Sequence, residues 1–466
     1  MVAVSPSESE MEVSSGSETE SEVMILDAHT FKDLEVFTPQ SGGTCLFDLC
    51  DLSRSDGGAK VLRRRMKRPW SSAARILATQ ESLSFILAQR QAFTGQPSKW
   101  VTSGAERYVD EYIPVVAYEN WLQFSLSTFA VWSSNHNFYF KIEHGVNVTC
   151  GMIRTLRHFV GQAELALPAG ELAPLFDEMR ALLSRPKLSH VPDEKTVIWT
   201  WRVLRLDQVF RLHEKATIIR LVQLVYEMDA LISLADATHK HGFVLPRIEK
   251  GPLRVQAEGL VHPFLEIAVA NPAELDQERR VLFLTGPNMA GKTTYLRAFA
   301  TALYFAHLGM GVPASSFGFV PAQRLFSSFS LNDDLRHGVS YFRAEALRVK
   351  AVAQAVAEGD RVVAFMDEPF KGTNVKDAFD ASLAILVRFA AKEDCLFMFS
   401  SHLIELGEQL SEIAQVDCRF FAAEENEGSL RFDYRLHRGV SSQRLGMRVL
   451  REEGIFALLD GVTEVA

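Results

Sequence analysis

The stretch TGPNMAGKTTYLR, residues 285–297, combines residue types that can bind a nucleoside triphosphate. Gly286 is followed, at the spacing of a Walker A motif, by Gly291, Lys292 and Thr293. Glycines let backbone N–H groups turn toward a phosphate, a lysine can span the β- and γ-oxygens, and a threonine hydroxyl can bind Mg²⁺. A hydrophobic run precedes the stretch and a helical pattern follows it, so a phosphate-binding loop is favoured over a chance glycine turn.

Two acidic residues end a second hydrophobic run, in VVAFMDEP. This is the arrangement of a Walker B motif: Asp367 would stand near the Mg²⁺ shell, and Glu368 would orient or deprotonate an attacking water. An acid pair at a helix N-terminus is the alternative. His402 follows the next hydrophobic run, in SSHLIEL, where it could contact a γ-phosphate or the water. A lone histidine often has no such role, but this order of motifs favours one.

The elements that must position these residues can be predicted from hydrophobic patterning. Short runs at 281–284, 361–366 and 395–399 have the continuous hydrophobicity of strands buried on both faces, and helical stretches separate them. They predict a mostly parallel sheet flanked by helices. The segments 420–423 and 430–436 flank a polar turn and predict a terminal hairpin. Helical periodicity dominates up to about residue 240, most clearly at 199–237, which predicts one long helix or two stacked ones.

Composition divides the chain into three parts. Residues 1–23 are Ser/Glu-rich and predict a disordered acidic tail. Residues 24–245 predict an α-helical domain and residues 246–466 an α/β domain. Among 466 residues, 47% are hydrophobic and 23% charged, as in ordinary globular proteins, and no stretch predicts a membrane span or secretion. The five cysteines show no metal-type pairing, so we expect reduced thiols in a cytoplasmic protein.

Charge limits where a nucleic acid could bind. The formal net charge is −9, so a DNA-binding surface would have to be local. The densest basic run lies between Arg63 and Arg68, just before Pro69. It could contact DNA phosphates, but a structural helix end is the favoured interpretation.

Beyond these motifs, the chain resembles the MutS family of DNA mismatch-repair ATPases. TGPNMAGKTTYLR is similar to the family's P-loop, in which the Pro-Asn-Met insert is distinctive. EGLVHPFLE (258–266), with Asn271–Pro272 at an expected turn, resembles the segment leading into the ATPase sheet, and NDDLRHGVSYFRAE (332–345) the signature region. DEPFKGTN, SSHLIEL and YRLHRGVSSQRLGMRVLREEG resemble the later motifs. In the first half, LDAHTFKDLEV and GGAKVLRRRMKRPW resemble the opening of the helical core domain, so the resemblance spans residues 24–460.

The resemblance implies a fold and a set of site residues. The fold is α plus α/β: a helical core and lever domain followed by an ABC-type P-loop ATPase domain. Glu368, Lys292, His402 and Ser340 would be catalytic, with Ser340 reaching the γ-phosphate of the partner subunit. Thr293 and Asp367 would hold Mg²⁺, and Tyr434 would stack on adenine. The residues implied to surround ATP are Gly286, Pro287, Asn288, Met289, Ala290, Gly291, Lys292, Thr293, Thr294 and Tyr434.

Departures from the family pattern qualify the expected function. Mismatch-reading members carry an N-terminal domain with a Phe-x-Glu wedge and a connector domain, and we expect this chain to lack both. The Phe-x-Glu at 264–266 is interpreted as structural. Smaller departures are Ala290, Ala268 and the pair Pro369–Phe370.

The resulting hypothesis is a DNA-binding ATPase that hydrolyses ATP to ADP and phosphate at composite sites of a homodimer. Nucleotide state would switch a DNA clamp in mismatch repair or in related repair or recombination, with a repair protein as a further partner and no membrane. The alternative is a nucleotide-switched dimeric scaffold that signals to a protein partner without binding DNA. An ATPase with a long coiled coil is disfavoured, because no long heptad stretch interrupts the motifs.

Overall fold

The computed structural model describes most of the chain outside the N-terminal tail. The described residues are 22–39, 42–112, 114–116, 123–124, 136–193, 199–287, 289–329, 341–426, 429–441 and 455–459. The acidic tail predicted at 1–23 lies almost entirely outside these ranges, so its disorder stays a prediction.

The first half of the chain is helical, as the periodicity predicts. Its α-helices are α1 (Ala28–Asp33), α2 (Leu46–Cys50), α3 (Asp56–Lys67), α4 (Ala73–Ala88), α5 (Lys99–Asp110), α6 (His136–Val160), α7 (Leu172–Leu183), α8 (Thr200–Gln208) and α9 (Lys215–Lys240). Short 3₁₀ turns lie at Ala92–Gly95, Ala163–Leu165 and Pro186–His190. The central element is α9, which buries residues on all sides and packs against α3, α4 and α5.

The run predicted at 199–237 is two helices joined by a π-helical turn, Val209–His213. A buried ion pair spans this joint: Nε of Arg211 lies 2.5 Å from Oδ1 of Asp207. The hydroxyl of Tyr108 also donates to Asp207, so the buried carboxylate is satisfied by two donors. Of the two predicted alternatives, one long helix or two stacked ones, the structure has the second.

The second half is built on a seven-stranded sheet. Its strands are β1 (Ile25–Leu26), β5 (Val281–Thr285), β7 (Arg324–Ser328), β8 (Val362–Asp367), β9 (Leu396–Ser400), β10 (Val416–Asn426) and β11 (Ser429–Arg438). Their order across the sheet is β1-β7-β8-β9-β5-β10-β11. Every neighbouring pair is parallel except β10 and β11, which form the predicted terminal hairpin. The helices are α10 (Lys292–His307), α11 (Tyr341–Ala357), α12 (Val375–Ala390), α13 (Ile404–Leu410) and α14 (Ile455–Leu459).

A second sheet has four strands, β2 (Arg247–Ile248), β3 (Val255–Leu260), β4 (Asn271–Leu275) and β6 (Ser316–Phe319). Their order across the sheet is β2-β6-β3-β4. The sequence places a turn at Asn271–Pro272, whereas the structure begins β4 there. Asn271 is the reason: its side chain bonds the backbone of β11 at the Tyr434 carbonyl (2.9 Å) and the Leu436 N–H (2.8 Å). The segment is thereby held extended beside the hairpin.

The beginning of the described chain belongs to the large sheet. Ile25 pairs in parallel with Arg324, and Leu26 with Leu325, so β1 forms the sheet edge. Asp33, at the end of α1, accepts hydrogen bonds from the Phe329 N–H (2.7 Å) and the Ser327 hydroxyl (3.0 Å). The sequence assigns residues 24–245 to the helical domain; the structure instead places Ile25–Leu26 in the sheet of the second half.

Hydrophobic residues cover both faces of the large sheet. One core joins the helical half to α10 and to one sheet face, and the other lies under α11, α12 and α13. Phe389 of α12 stacks on Phe397 of β9 with ring centroids 4.2 Å apart. The mixed architecture with its mostly parallel sheet confirms the predicted fold class. Within the described ranges, no helix is long and apolar enough to cross a membrane, and all five cysteines are buried thiols.

Candidate active site

The phosphate loop connects the end of β5 to the start of α10. Gly286 has φ 138°, and a Cβ there would lie 2.7 Å from the Phe421 carbonyl oxygen, so only glycine fits. Gly291, with φ 101°, is the N-cap of α10. The amino group of Lys292 is 5% exposed and donates to the carbonyls of Gly286 (2.7 Å) and Pro287 (3.2 Å). The N-terminus of α10 and the buried amino group of Lys292 therefore both lie at this loop, and both favour the binding of an anion there.

Asp367 lies at the end of β8 and faces the start of α10. Its Oδ2 is 2.5 Å from the hydroxyl of Thr293, and its Oδ1 accepts from the Ser400 hydroxyl at the end of β9. A carboxylate and a hydroxyl held together are oxygen donors of the kind that Mg²⁺ prefers in phosphate sites. The residues present thus fit the predicted metal pair, Thr293 and Asp367.

Glu368 follows directly and lies near two lysines and a histidine. Its Oε2 lies 2.6 Å from the Lys371 amino group and 3.7 Å from Nδ1 of His402, and its Oε1 lies 3.6 Å from Lys292. His402, Lys371 and Lys292 together outweigh burial and hold the pKa of Glu368 at about 2. Burial lowers the pKa of Lys292, although Glu368 and Asp367 oppose the shift. Glu368 is therefore an ionised carboxylate.

A cavity of about 680 Å³ contains these groups. Its lining includes the polar side chains of Lys292, Thr293, Asp367 and Glu368. It also includes a mostly apolar group, namely Leu260, Val261, Leu265, Ile267, Ala268, Val269 and Tyr434. Tyr434 is 45% exposed. A Cβ on Gly291 would come within 3.3 Å of Cδ1 of Tyr434, so the ring lies beside the phosphate loop. The lining thus places an aromatic ring next to the phosphate loop.

Most of the predicted site residues meet in this cavity. Pro287, Met289, Gly291, Lys292, Thr293, Thr294, Asp367, Glu368 and Tyr434 all line it. Gly286 contributes through its carbonyl, and Ala290 is fully buried beneath the loop. His402 is half-exposed and reaches the site only through Glu368. Asn288 and Ser340 lie outside the described residues, so their predicted roles stay predictions.

The cavity also contains two residues that the motifs do not identify, His262 and Lys371. Burial, with Arg297 nearby, lowers the pKa of His262 to about 4, so this ring is neutral at physiological pH. In the sequence, the position of His262 in the pre-ATPase segment EGLVHPFLE is the feature that could have identified it as a site residue. Lys371 lies in the loop directly after the Walker B acids. Its spacing of three residues from Glu368 is the sequence feature that could have identified it as a site residue. Leu265, within the Phe-x-Glu tripeptide, forms part of the cavity wall.

Comparison with known families identifies the domain that contains this site. Residues 282–458 match the family model described as MutS domain V, an ABC-type ATPase domain. The match begins within β5, just before the phosphate loop, and includes Asp367, Glu368, His402 and Tyr434. The helical half precedes the matched range. The site geometry and the parallel sheet agree with the domain match, so residues 282–458 are similar to MutS domain V.

Proposed function

We propose that the protein hydrolyses ATP to ADP and phosphate in the cavity between the phosphate loop and the Walker B acids. The observation that carries the proposal is the convergence of Lys292, Thr293, Asp367 and Glu368 at one end of the cavity. Lys292 binds the β- and γ-phosphates, and Thr293 with Asp367 holds Mg²⁺, which neutralises phosphate charge when bound. Glu368 orients the attacking water or accepts its proton. Tyr434, which lines the cavity, stacks on adenine.

Two copies of the chain complete each site in this proposal. Ser340 of one subunit contacts the γ-phosphate bound by the other, as the resemblance implies, so closure of the homodimer depends on nucleotide. The proposed outcome is a clamp that opens and closes around DNA in mismatch repair or in related repair or recombination, with a repair protein as a further partner. The similarity of residues 282–458 to MutS domain V supports the DNA partner.

The scaffold alternative is favoured by the intramolecular contacts that the basic residues at the end of α3 make. Arg65 contacts both oxygens of Glu171, at 2.7 and 2.9 Å. The guanidinium of Arg63 lies 4.9 Å from the ring centroid of Phe37 and 4.5 Å from that of Phe47. These two arginines stabilise the fold, in agreement with the structural interpretation of the run. A nucleotide-switched dimer that signals to a protein partner therefore remains the second candidate.

DNA binding and ATPase activity measured together separate the two candidates. The binding assay uses duplex, mismatched and junction DNA over a series of salt concentrations, with a non-hydrolysable ATP analogue. Binding that weakens with salt, together with an ATPase rate that changes on adding DNA, supports the clamp. ATP hydrolysis that is indifferent to every DNA, with no binding to any of them, supports the scaffold. Absence of hydrolysis under all conditions would overturn the ATPase proposal.

A further inference from the structure

The helix α11 is tied by a buried carboxylate to the loop that follows the Walker B acids. Glu345, in the second turn of α11, is 2% exposed. Its two oxygens accept separate hydrogen bonds from backbone N–H groups, Oε1 from Lys371 (3.0 Å) and Oε2 from Gly372 (3.3 Å). A buried carboxylate needs such donors, so Glu345 depends on the backbone of the loop.

An aromatic contact fixes the same loop to the same helix. Phe370 is 2% exposed, and its ring centroid lies 5.8 Å from that of Phe342 in the first turn of α11. Phe370 has φ 68°, a left-handed conformation that costs energy in a non-glycine residue. Burial of the ring against α11 offsets that cost. Pro369–Phe370, which departs from the family pattern, thus packs the loop onto the helix.

The loop in turn holds the side chain of Glu368. The amino group of Lys371 lies 2.6 Å from Oε2 of Glu368. Glu368 itself has φ 47°, and its N–H donates to the Ser400 carbonyl (3.0 Å), so its backbone is fixed to β9. With the backbone fixed, the direction of the carboxylate depends on its side-chain partners. Lys371 is the nearest of them.

We propose that Glu345 and Lys371 are positioning residues for Glu368. Glu345 holds the backbone of Lys371 on α11, and the amino group of Lys371 orients the carboxylate of Glu368. This inference rests on the proposed function, in which Glu368 acts on the attacking water.

Steady-state ATPase kinetics of four variants test the inference: Lys371→Ala, Lys371→Arg, Glu345→Gln and the double variant Glu345→Gln/Lys371→Ala. We expect Lys371→Ala to lower kcat about tenfold, because a misdirected group loses much of its effect, while KM for ATP changes less than about twofold. Lys371→Arg keeps the ion pair and retains most of kcat. Glu345→Gln lowers kcat in the same direction. The double variant is no slower than Lys371→Ala alone, because both act through one contact.

Controls separate positioning from folding. Lys376→Ala and Lys350→Ala remove exposed lysines from α12 and α11 and should leave kcat unchanged. Thermal midpoints and the affinity for a fluorescent ATP analogue show whether each variant is folded; if Glu345→Gln is not, the Lys371→Ala and Lys371→Arg pair decides. A wild-type kcat for Lys371→Ala, or losses that multiply in the double variant, would overturn the inference. Hydrolysis that survives in Glu368→Gln instead contradicts the proposed function.

Discussion

The hydroxyl of Thr293 lies 2.5 Å from Oδ2 of Asp367, although 74 residues separate them in the chain. Thr293 is fixed by the first turn of α10 and Asp367 by the end of β8. Their meeting joins the phosphate loop to the Walker B acids, so Glu368, the next residue, stands beside the predicted phosphate position. The first prediction concerns that residue.

Glu368→Gln should abolish turnover while preserving ATP binding. Glutamine keeps the shape of the side chain but cannot accept a proton, so we expect kcat to fall by roughly two to four orders of magnitude. The comparison variant Lys292→Ala, which removes the phosphate-binding cation, should abolish binding instead. Radiolabelled ATP retention and phosphate release measure the two effects. Turnover at the wild-type rate in Glu368→Gln would show that another group acts on the water.

Ser340→Ala should separate hydrolysis from binding in a different way. If Ser340 contacts the γ-phosphate of the partner subunit, the subunit that binds ATP keeps all of its own contacts. We therefore expect nearly normal ATP affinity with defective hydrolysis, measured by equilibrium binding and phosphate release. A mixture with Glu368→Gln subunits adds a second readout, because a trans role predicts partial recovery of hydrolysis in mixed dimers. Equal losses of binding and hydrolysis contradict the trans role.

Tyr434→Ala should weaken ATP binding, because the ring lines the cavity and would stack on adenine. Loss of a stacking contact of about 1 kcal/mol lowers affinity roughly fivefold. Tyr434→Phe is the matched control, since it keeps the ring and removes only the hydroxyl. The backbone there has φ 54°, which alanine and phenylalanine tolerate no better than tyrosine, so all three share that cost. Equal affinities for Tyr434→Ala and Tyr434→Phe would place adenine elsewhere.

Sequence patterns predict the local parts of this site and miss the parts formed at long range. The phosphate loop and the Walker B acids are continuous motifs that end hydrophobic strands, so Lys292 and Asp367 could be identified directly. The strand β1 is two residues long and has no periodicity that a sequence pattern could reveal. The Glu345–Lys371 contact depends on how α11 packs on a loop outside its own sequence neighbourhood. Such pairings can be identified only once the three-dimensional structure is known.

The N-terminal segment should contribute to the stability of the ATPase half. Asp33 is fully buried and accepts hydrogen bonds from Phe329 and Ser327. Asp33→Ala leaves the buried Ser327 hydroxyl and the half-buried Phe329 N–H without their acceptor, so we expect a loss of about 2–3 kcal/mol in the free energy of unfolding. Urea denaturation measures it. Asp380→Ala, at an exposed position on α12, is the control and should change the stability by less than about 0.5 kcal/mol. If Asp33→Ala lowered the free energy of unfolding no more than Asp380→Ala does, the N-terminal segment would not contribute to the stability of the ATPase half.

The buried histidine at the end of α10 should make the stability of the protein fall in acid. His307 is 0% exposed; its Nδ1 donates to the Leu303 carbonyl (2.8 Å) and its Nε2 accepts from the Ala322 N–H (2.9 Å). Protonation would break the second bond, and burial lowers the pKa of His307 from 6.5 to about 4. The unfolded chain therefore binds the proton more readily between those values. Stability from this group is complete above pH 6.5 and decreases as the pH falls toward 4, by about 3 kcal/mol in total.

Urea denaturation at a series of pH values measures this slope in the wild type and in His307→Gln. The variant is less stable at neutral pH because glutamine cannot make both bonds, but its stability should fall less steeply between pH 6.5 and 4. His262, whose pKa is also lowered to about 4, retains its own contribution in both proteins and cancels in the comparison. His158→Gln, at an exposed position on α6, should keep the wild-type slope. Identical slopes for His307→Gln and wild type would mean that His307 is not held neutral by the fold.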